Sequence, residues 1–134
     1  MRGWVHHFDL TVSSLERSGL FYDVVLGFLG YRRGHQGETW IDWDMGEPHR
    51  ASSVAIRLAR SDRPHDRYAC GLHHLAWVAE SRDDVDRLHA LLVGMEATIL
   101  DPPADYPHYR PGYYALFFAD PDGLKLEFVH TPTA

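Results

Sequence analysis

Two stretches decide how this chain folds: VHHFDLTV at residues 5–12 and LHHLAWVA at residues 72–79. Laid over one another they put His6 on His73 and His7 on His74, an offset of 73 − 6 = 67. At that offset Ser14 falls on Ser81, Leu26 on Val93 and Gly27 on Gly94. The halves share an order of features more than identities: an apolar strand bearing His-His, a serine, a helix of about thirteen residues, a glycine and a short strand. Residues 5–12 alternate, with Phe8, Leu10 and Val12 on one face and His7, Asp9 and Thr11 on the other, the pattern of a half-buried strand.

Working outward, Ser13 with Glu16 and Ser81 with Asp84 have the spacing of helix-opening capping boxes. Gly27 and Gly94 are placed to close those helices in the left-handed conformation. Strand patterns follow at TWIDWDM (39–45) and SVAIRLA (53–59), and again at YYALFFA (113–119) and LKLEFVH (124–130). DPDG (120–123) is a turn: proline pre-sets φ and glycine accepts a positive φ. DPPADYPHYRPG (101–112), with four prolines, is predicted as a long loop. The expected fold is α+β, with two tandem βαβββ modules forming a curved mixed sheet around a central cleft. Module one spans 4–60, the linker 61–71 and module two 72–131. Neither module has enough core alone, so residues 1–134 are expected to form one fused domain.

Thirteen basic against nineteen acidic residues give a net charge of −6, which argues against nucleic acid or an anionic membrane as partner. No run of about 18 apolar residues exists to span a bilayer, and MRGWVHHFDLTV lacks the apolar core of a secretory signal. The single cysteine, Cys70, excludes an intrachain disulfide and fits a reducing, cytoplasmic compartment. Cys70 is expected to be a small buried hydrophobe. One cysteine also excludes a thiolate zinc site within one chain. The ten histidines point instead to nitrogen and oxygen ligands.

His7 and His74 occupy equivalent, polar-register positions in the repeat. A lone strand histidine is usually structural, but two at matched positions suggest a shared site. Glu127 interrupts a half-apolar strand, where a carboxylate is costly unless paired or metal-bound. Its bland alternatives are an exposed edge-strand glutamate or a salt bridge to Arg57 or Lys125. Two imidazoles and one carboxylate suit a divalent ion: Fe, Mn, Ni, Co or Zn. Aligning SVAIRLA with GLKLEFV sets Arg57 opposite Glu127, so module one offers no matching acid there. Asp42 and Asp44 are further carboxylates with a solvent-face reading. His6 and His73 fall on the opposite register, as structural or supporting groups, while His35, His49, His65 and His89 are expected in solvent.

The duplication, together with HHFDLTVSSLERSGLFYDVVLGFLGY (6–31) and GYYALFFADPDGLKLEFVH (112–130), resembles the vicinal oxygen chelate superfamily, the glyoxalase, bleomycin-resistance and extradiol-dioxygenase group. The resemblance covers nearly the whole chain, and DPDG followed by Leu126-Glu127 is its most specific part. It implies His7, His74 and Glu127 as metal ligands, similar to the fosfomycin-resistance thiol transferases and extradiol dioxygenases. It implies a lyase, isomerase or transferase in which the metal acts as Lewis acid on a small substrate with vicinal oxygens. The alternatives are a metal-free drug- or ligand-binding protein of the bleomycin-resistance type, and an extradiol-type dioxygenase. Tyr113, Tyr114 and His108 are the candidate acid–base groups, with His130 behind them. Tyr106, Tyr109, Tyr113 and Tyr114, with Trp40 and Trp43, are candidate pocket aromatics, and Arg110 a candidate anion clamp. The resemblance also implies a homodimer.

Overall fold

The computed structural model describes residues 2–46 and 52–132, so His49 lies outside the described residues. The chain divides into two compact units, Met1–Arg63 and Pro64–Ala134. The first runs β1 (His7–Val12), α1 (Leu15–Leu29), β2 (Arg32–Gln36), β3 (Trp40–Met45) and β4 (Ser52–Leu58). The second repeats the order with β5 (His74–Val78), α2 (Arg82–Gly94), β6 (Thr98–Asp105), β7 (Tyr114–Ala119) and β8 (Lys125–His130). The sheets are ordered β1-β4-β3-β2 and β5-β8-β7-β6. In each, the first and last strands pair in parallel and the rest antiparallel. The chain is therefore α+β, built of two similar βαβββ units. Among the described residues no helix is long and apolar enough to cross a membrane.

One face of each sheet is covered by its helix. Leu10, Val12, Ile41, Trp43, Val54 and Ile56 are buried with Tyr22, Val25 and Leu26 of α1. Leu75, Leu116, Phe118, Leu126 and Phe128 are buried with Val85, Leu88 and Leu92 of α2. The strand period of two then sends His7, Asp9 and Thr11, and likewise His74, Ala76 and Val78, to the other face.

Four local expectations change. The N-cap of α1 is Ser14, whose hydroxyl accepts from the Arg17 N–H at 3.1 Å. Ser13 accepts instead from the Arg17 guanidinium at 2.9 Å. The repeat had already matched Ser14 with Ser81, which does cap α2. Gly27 and Gly94 lie inside their helices. The left-handed residues are Gly30, at φ 101°, and Glu96, at φ 58°. Each helix closes with paired bonds around that residue: Gly30 N–H to Gly27 O and Tyr31 N–H to Leu26 O, then Glu96 N–H to Val93 O and Ala97 N–H to Leu92 O. Pro102 and Pro103 belong to β6, not to a loop. β6 is an edge strand with register shifts along β7, where a residue without an N–H is tolerated. Cys70 is exposed rather than buried.

Register corrects one alignment. His7 pairs with Ser53 as His74 pairs with Lys125, so the residue matching Glu127 is Ala55 and the residue matching Arg57 is Val129. Setting Arg57 opposite Glu127 displaces the alignment by two residues, which preserves the face and so leaves the hydrophobic pattern unchanged. The first unit still has no acid at that position.

Candidate functional site

The DPDG turn aims Glu127. Asp120 is buried, and its Oδ1 accepts from the Asp122 and Leu124 N–H groups, each at 2.9 Å. Gly123 takes φ 84° and bonds back to the Asp120 carbonyl. This hairpin sets Phe117 opposite Glu127, and the parallel β5 places Ala76 on its other side. The carboxylate is thus flanked by a ring and a methyl group and is only 2% exposed.

Each carboxylate oxygen has its own partner. Oε1 lies 3.2 Å from His74 Nε2. Oε2 accepts a short hydrogen bond from the Tyr113 hydroxyl. Glu127 is therefore satisfied by an imidazole and a phenol, not by Arg57 or Lys125. Arg57 bonds Asp9 at 2.6 Å within the first unit, and the Lys125 ammonium stands 4.6 Å from the Phe117 ring centroid. Burial, and then the bond to Glu127, push the Tyr113 hydroxyl well above the ordinary tyrosine range.

His74 is held on its other side by His73, the two Nδ1 atoms being 2.8 Å apart. Loss of solvation first, then His74, Lys125 and Arg67, lower the His73 pKa. The first unit repeats this contact, with His6 Nδ1 and His7 Nδ1 3.0 Å apart. It lacks the acid: Ala55 sits between Asp9 and Asp42, where Glu127 sits between Ala76 and Phe117. Asp42 accepts from the His35 N–H at 2.8 Å, in the irregular part of β2 where a side chain on Gly34 would collide with it.

An aromatic wall adjoins Tyr113. Tyr106 N–H bonds the Tyr113 carbonyl and Tyr113 N–H bonds the Arg110 carbonyl, closing residues 106–113 into a tight loop. Tyr106 and Tyr109 stack with centroids 5.4 Å apart, Tyr109 meets Tyr113 at 5.3 Å, and Tyr106 meets Phe117 at 5.5 Å. Phe117 in turn lies 6.3 Å from the His74 ring. Burial raises the Tyr106 pKa. His108 stands against Tyr109 at 4.3 Å in the same loop.

The structure thus brings together His74, Glu127 and Tyr113. His7 belongs to the first unit. Tyr114 points to the helix side of β7, where its hydroxyl donates to Asp86 at 2.6 Å and the Arg82 guanidinium covers its ring at 3.9 Å. It is not part of the Glu127 cluster. Trp43 is 1% exposed, packs near Tyr22 and donates to Asp23 at 2.9 Å, so it is core. Trp40 lies beside His35 in the first unit. Phe117 has the same parity as Tyr113 in YYALFFA, so the alternation of that stretch already sets the two on one face.

Among the described residues no group of three or more His, Cys, Asp or Glu side chains is placed to hold a metal ion. The His74–Glu127 pair nevertheless has the right donor chemistry. Two ligands bonded to one ion at about 2.0–2.2 Å, on adjacent positions, stand roughly 3–3.5 Å apart. The observed 3.2 Å is equally the separation of a hydrogen-bonded imidazole and carboxylate, so what fits an ion is the type of donor rather than the distance. A buried carboxylate oxygen facing a ring nitrogen also needs a cation, proton or metal, between their lone pairs.

A family model described as the Glyoxalase/Bleomycin resistance protein/Dioxygenase superfamily matches residues 4–128. The chain is 32% identical over 132 residues to the uncharacterized protein YqjT of Bacillus subtilis, covering 93% of this chain and 97% of that one. It is 29% identical over 129 residues to the metallothiol transferase FosB of Lysinibacillus sphaericus, covering 96% of this chain and 82% of that protein. Among solved structures, a glyoxylase/bleomycin resistance protein/dioxygenase domain from Frankia superposes with a TM-score of 0.78 at 25% identity, covering all of this chain and 96% of that one.

Proposed function

The chain belongs to the Glyoxalase/Bleomycin resistance protein/Dioxygenase superfamily, and from that premise we propose that it is a divalent-metal-dependent enzyme acting on a small molecule with vicinal oxygens. The observation that carries this reading is the buried Glu127 carboxylate, shared between His74 Nε2 and the Tyr113 hydroxyl. We assign His74 and Glu127 as two ligands and His7, the repeat partner of His74 in the first unit, as the third. When bound there, a divalent ion supplies Lewis-acid stabilisation of negative charge on a substrate oxygen.

The surrounding groups have separable tasks. Tyr113 keeps its proton at neutral pH, because its hydroxyl is held far above the ordinary tyrosine range. It fixes Glu127 Oε2 as a hydrogen-bond donor and leaves Oε1 directed at His74. A hydroxyl that stays protonated has no free site to accept a substrate proton, so base catalysis falls to another group. His108 is the candidate beside the aromatic loop, and Tyr106 and Tyr109 offer a flat wall for the substrate. Tyr114, occupied by Asp86, is left out. Among lyase, isomerase and transferase chemistry, the match to a metallothiol transferase along nearly the whole chain favours transfer of a nucleophile to the substrate.

The test is metal analysis of protein purified without a histidine tag. About one Fe, Mn, Ni, Co or Zn per chain is expected, lost in each of His7→Ala, His74→Ala and Glu127→Gln. A folded protein that takes up no ion under any loading condition, or that keeps its ion in all three variants, overturns the assignment. The enzyme is further proposed to be a homodimer in the cytoplasm. Sedimentation equilibrium at a single chain's mass, 15.4 kDa, would count against the dimer.

A further inference from the structure

The first unit holds an open cavity of about 510 Å³, lined by Thr11, Thr39, Arg57, Leu58, Ala59 and Arg60. That size suits a small molecule. Its polar groups come from adjoining backbone segments. Thr11 and Arg57 are register partners across β1 and β4, and Arg57 faces Trp40 across β3. The Leu58 N–H bonds the Thr39 carbonyl and the Ala59 N–H bonds the Val12 carbonyl, each at 2.8 Å, which fixes the segment carrying Arg57 and Arg60.

Arg57 is oriented without being used up. Its Nε donates to Asp9 Oδ2 at 2.6 Å, and among the described residues the remaining N–H donors of the fork are open to a second acceptor. Arg60 is exposed at the rim. Two guanidinium groups beside two threonine hydroxyls form a donor-rich concavity in a chain whose net charge is −6. Leu58 and Ala59 add an apolar wall, which a bare inorganic ion would leave unused.

The duplication provides an independent argument. The row Thr11–Arg57–Trp40 of the first sheet corresponds to the row Val78–Val129–Ala115 of the second. The second unit carries apolar side chains at the same places and keeps the same strand pairing. The βαβββ frame therefore does not require Arg57 or Thr11. Asp9 holds the Nε side of the Arg57 guanidinium, and both Arg57 and Thr11 line the cavity.

We propose that this cavity binds the anionic group, a carboxylate, phosphate or phosphonate, of a small organic molecule. Arg57 and Arg60 grip the oxyanion, Thr11 and Thr39 donate hydroxyl bonds, and the remainder of the ligand rests on Leu58 and Ala59. Bidentate charge-assisted pairing makes arginine the fitting residue for such a group.

The test is titration of the full-length protein with phenyl phosphate and, separately, with inorganic phosphate, followed by amide NMR and calorimetry. Phenyl phosphate is expected to bind more tightly than inorganic phosphate and to shift the amides of Thr11, Thr39 and residues 57–60. Arg57→Gln and Arg60→Gln should each weaken it at least about tenfold. Arg57→Lys, which keeps the charge but not the fork, should retain only part of the affinity. Unchanged amide spectra confirm the fold of each variant. The proposal is overturned if neither compound binds, if affinity survives both glutamine substitutions, or if inorganic phosphate binds and phenyl phosphate is excluded.

Discussion

Glu127 has two oxygens, and the difference between their partners makes the residue testable. Oε1 faces an imidazole that can exchange a proton for a metal ion, whereas Oε2 faces a phenol that holds its proton. Because burial and the Glu127 bond raise the Tyr113 pKa, the folded state binds that proton more tightly than the unfolded chain. The sign follows from linkage: the stabilisation is fully present below the unfolded pKa of about 10, and is lost as pH rises above it toward the folded pKa. Urea titrations should therefore show a wild-type advantage over Tyr113→Phe that is constant from pH 7 to 9 and shrinks above pH 10. An advantage that grew with pH would contradict the hydrogen bond to the carboxylate. Tyrosinate absorbance gives a second check, since Tyr113→Phe should remove a late-ionising component from the alkaline titration.

The elements show which features were legible in the sequence and which were not. The order of strands and helices followed from period and punctuation, because a strand that buries one face writes that face as alternation. The ends of the elements were less legible. Ser13 and Ser14 both satisfy a cap pattern, and only the match of Ser14 to Ser81 separates them. Gly27 and Gly94 looked like stops because glycine favours stops, yet the left-handed positions fall on Gly30 and Glu96. Pro102 and Pro103 read as loop because a sequence does not reveal which strand will be at an edge. Arg57 was set opposite Glu127 by an alignment slipped by two residues, which the pleat cannot detect.

These element ends predict stability changes. Ser14→Ala should cost about 1 kcal/mol in urea denaturation, while Ser13→Ala should change stability by less than about 0.5 kcal/mol. Gly30→Ala should cost about 1 kcal/mol or more, because φ is 101° there. Gly27→Ala should gain about 0.5–1 kcal/mol, since the position is helical and nothing stands within 4 Å of an added methyl. Reversal of the two glycine effects would place the end of α1 at Gly27 after all.

At the scale of the whole molecule, the proposed metal set draws ligands from both units: His7 from the first, His74 and Glu127 from the second. The candidate site was therefore only partly legible in one unit's strand pattern. The repeat located both histidines, whereas Tyr113 and Phe117 became visible through the β7–β8 pairing. A ligand that binds only the folded state stabilises by RT ln(1 + [L]/Kd), about 2.7 kcal/mol at a hundredfold excess over Kd. Thermal melts with and without the bound ion should show an upward shift in the wild type that is absent in His7→Ala as completely as in Glu127→Gln. A normal metal-dependent shift in His7→Ala would remove His7 from the set and confine the metal to the second unit. If the proposed homodimer forms and each site combines His7 of one copy with His74 and Glu127 of another, mixing His7→Ala and Glu127→Gln chains should restore metal binding. If all three ligands come from one chain, each copy in the mixture carries a defect and no binding returns.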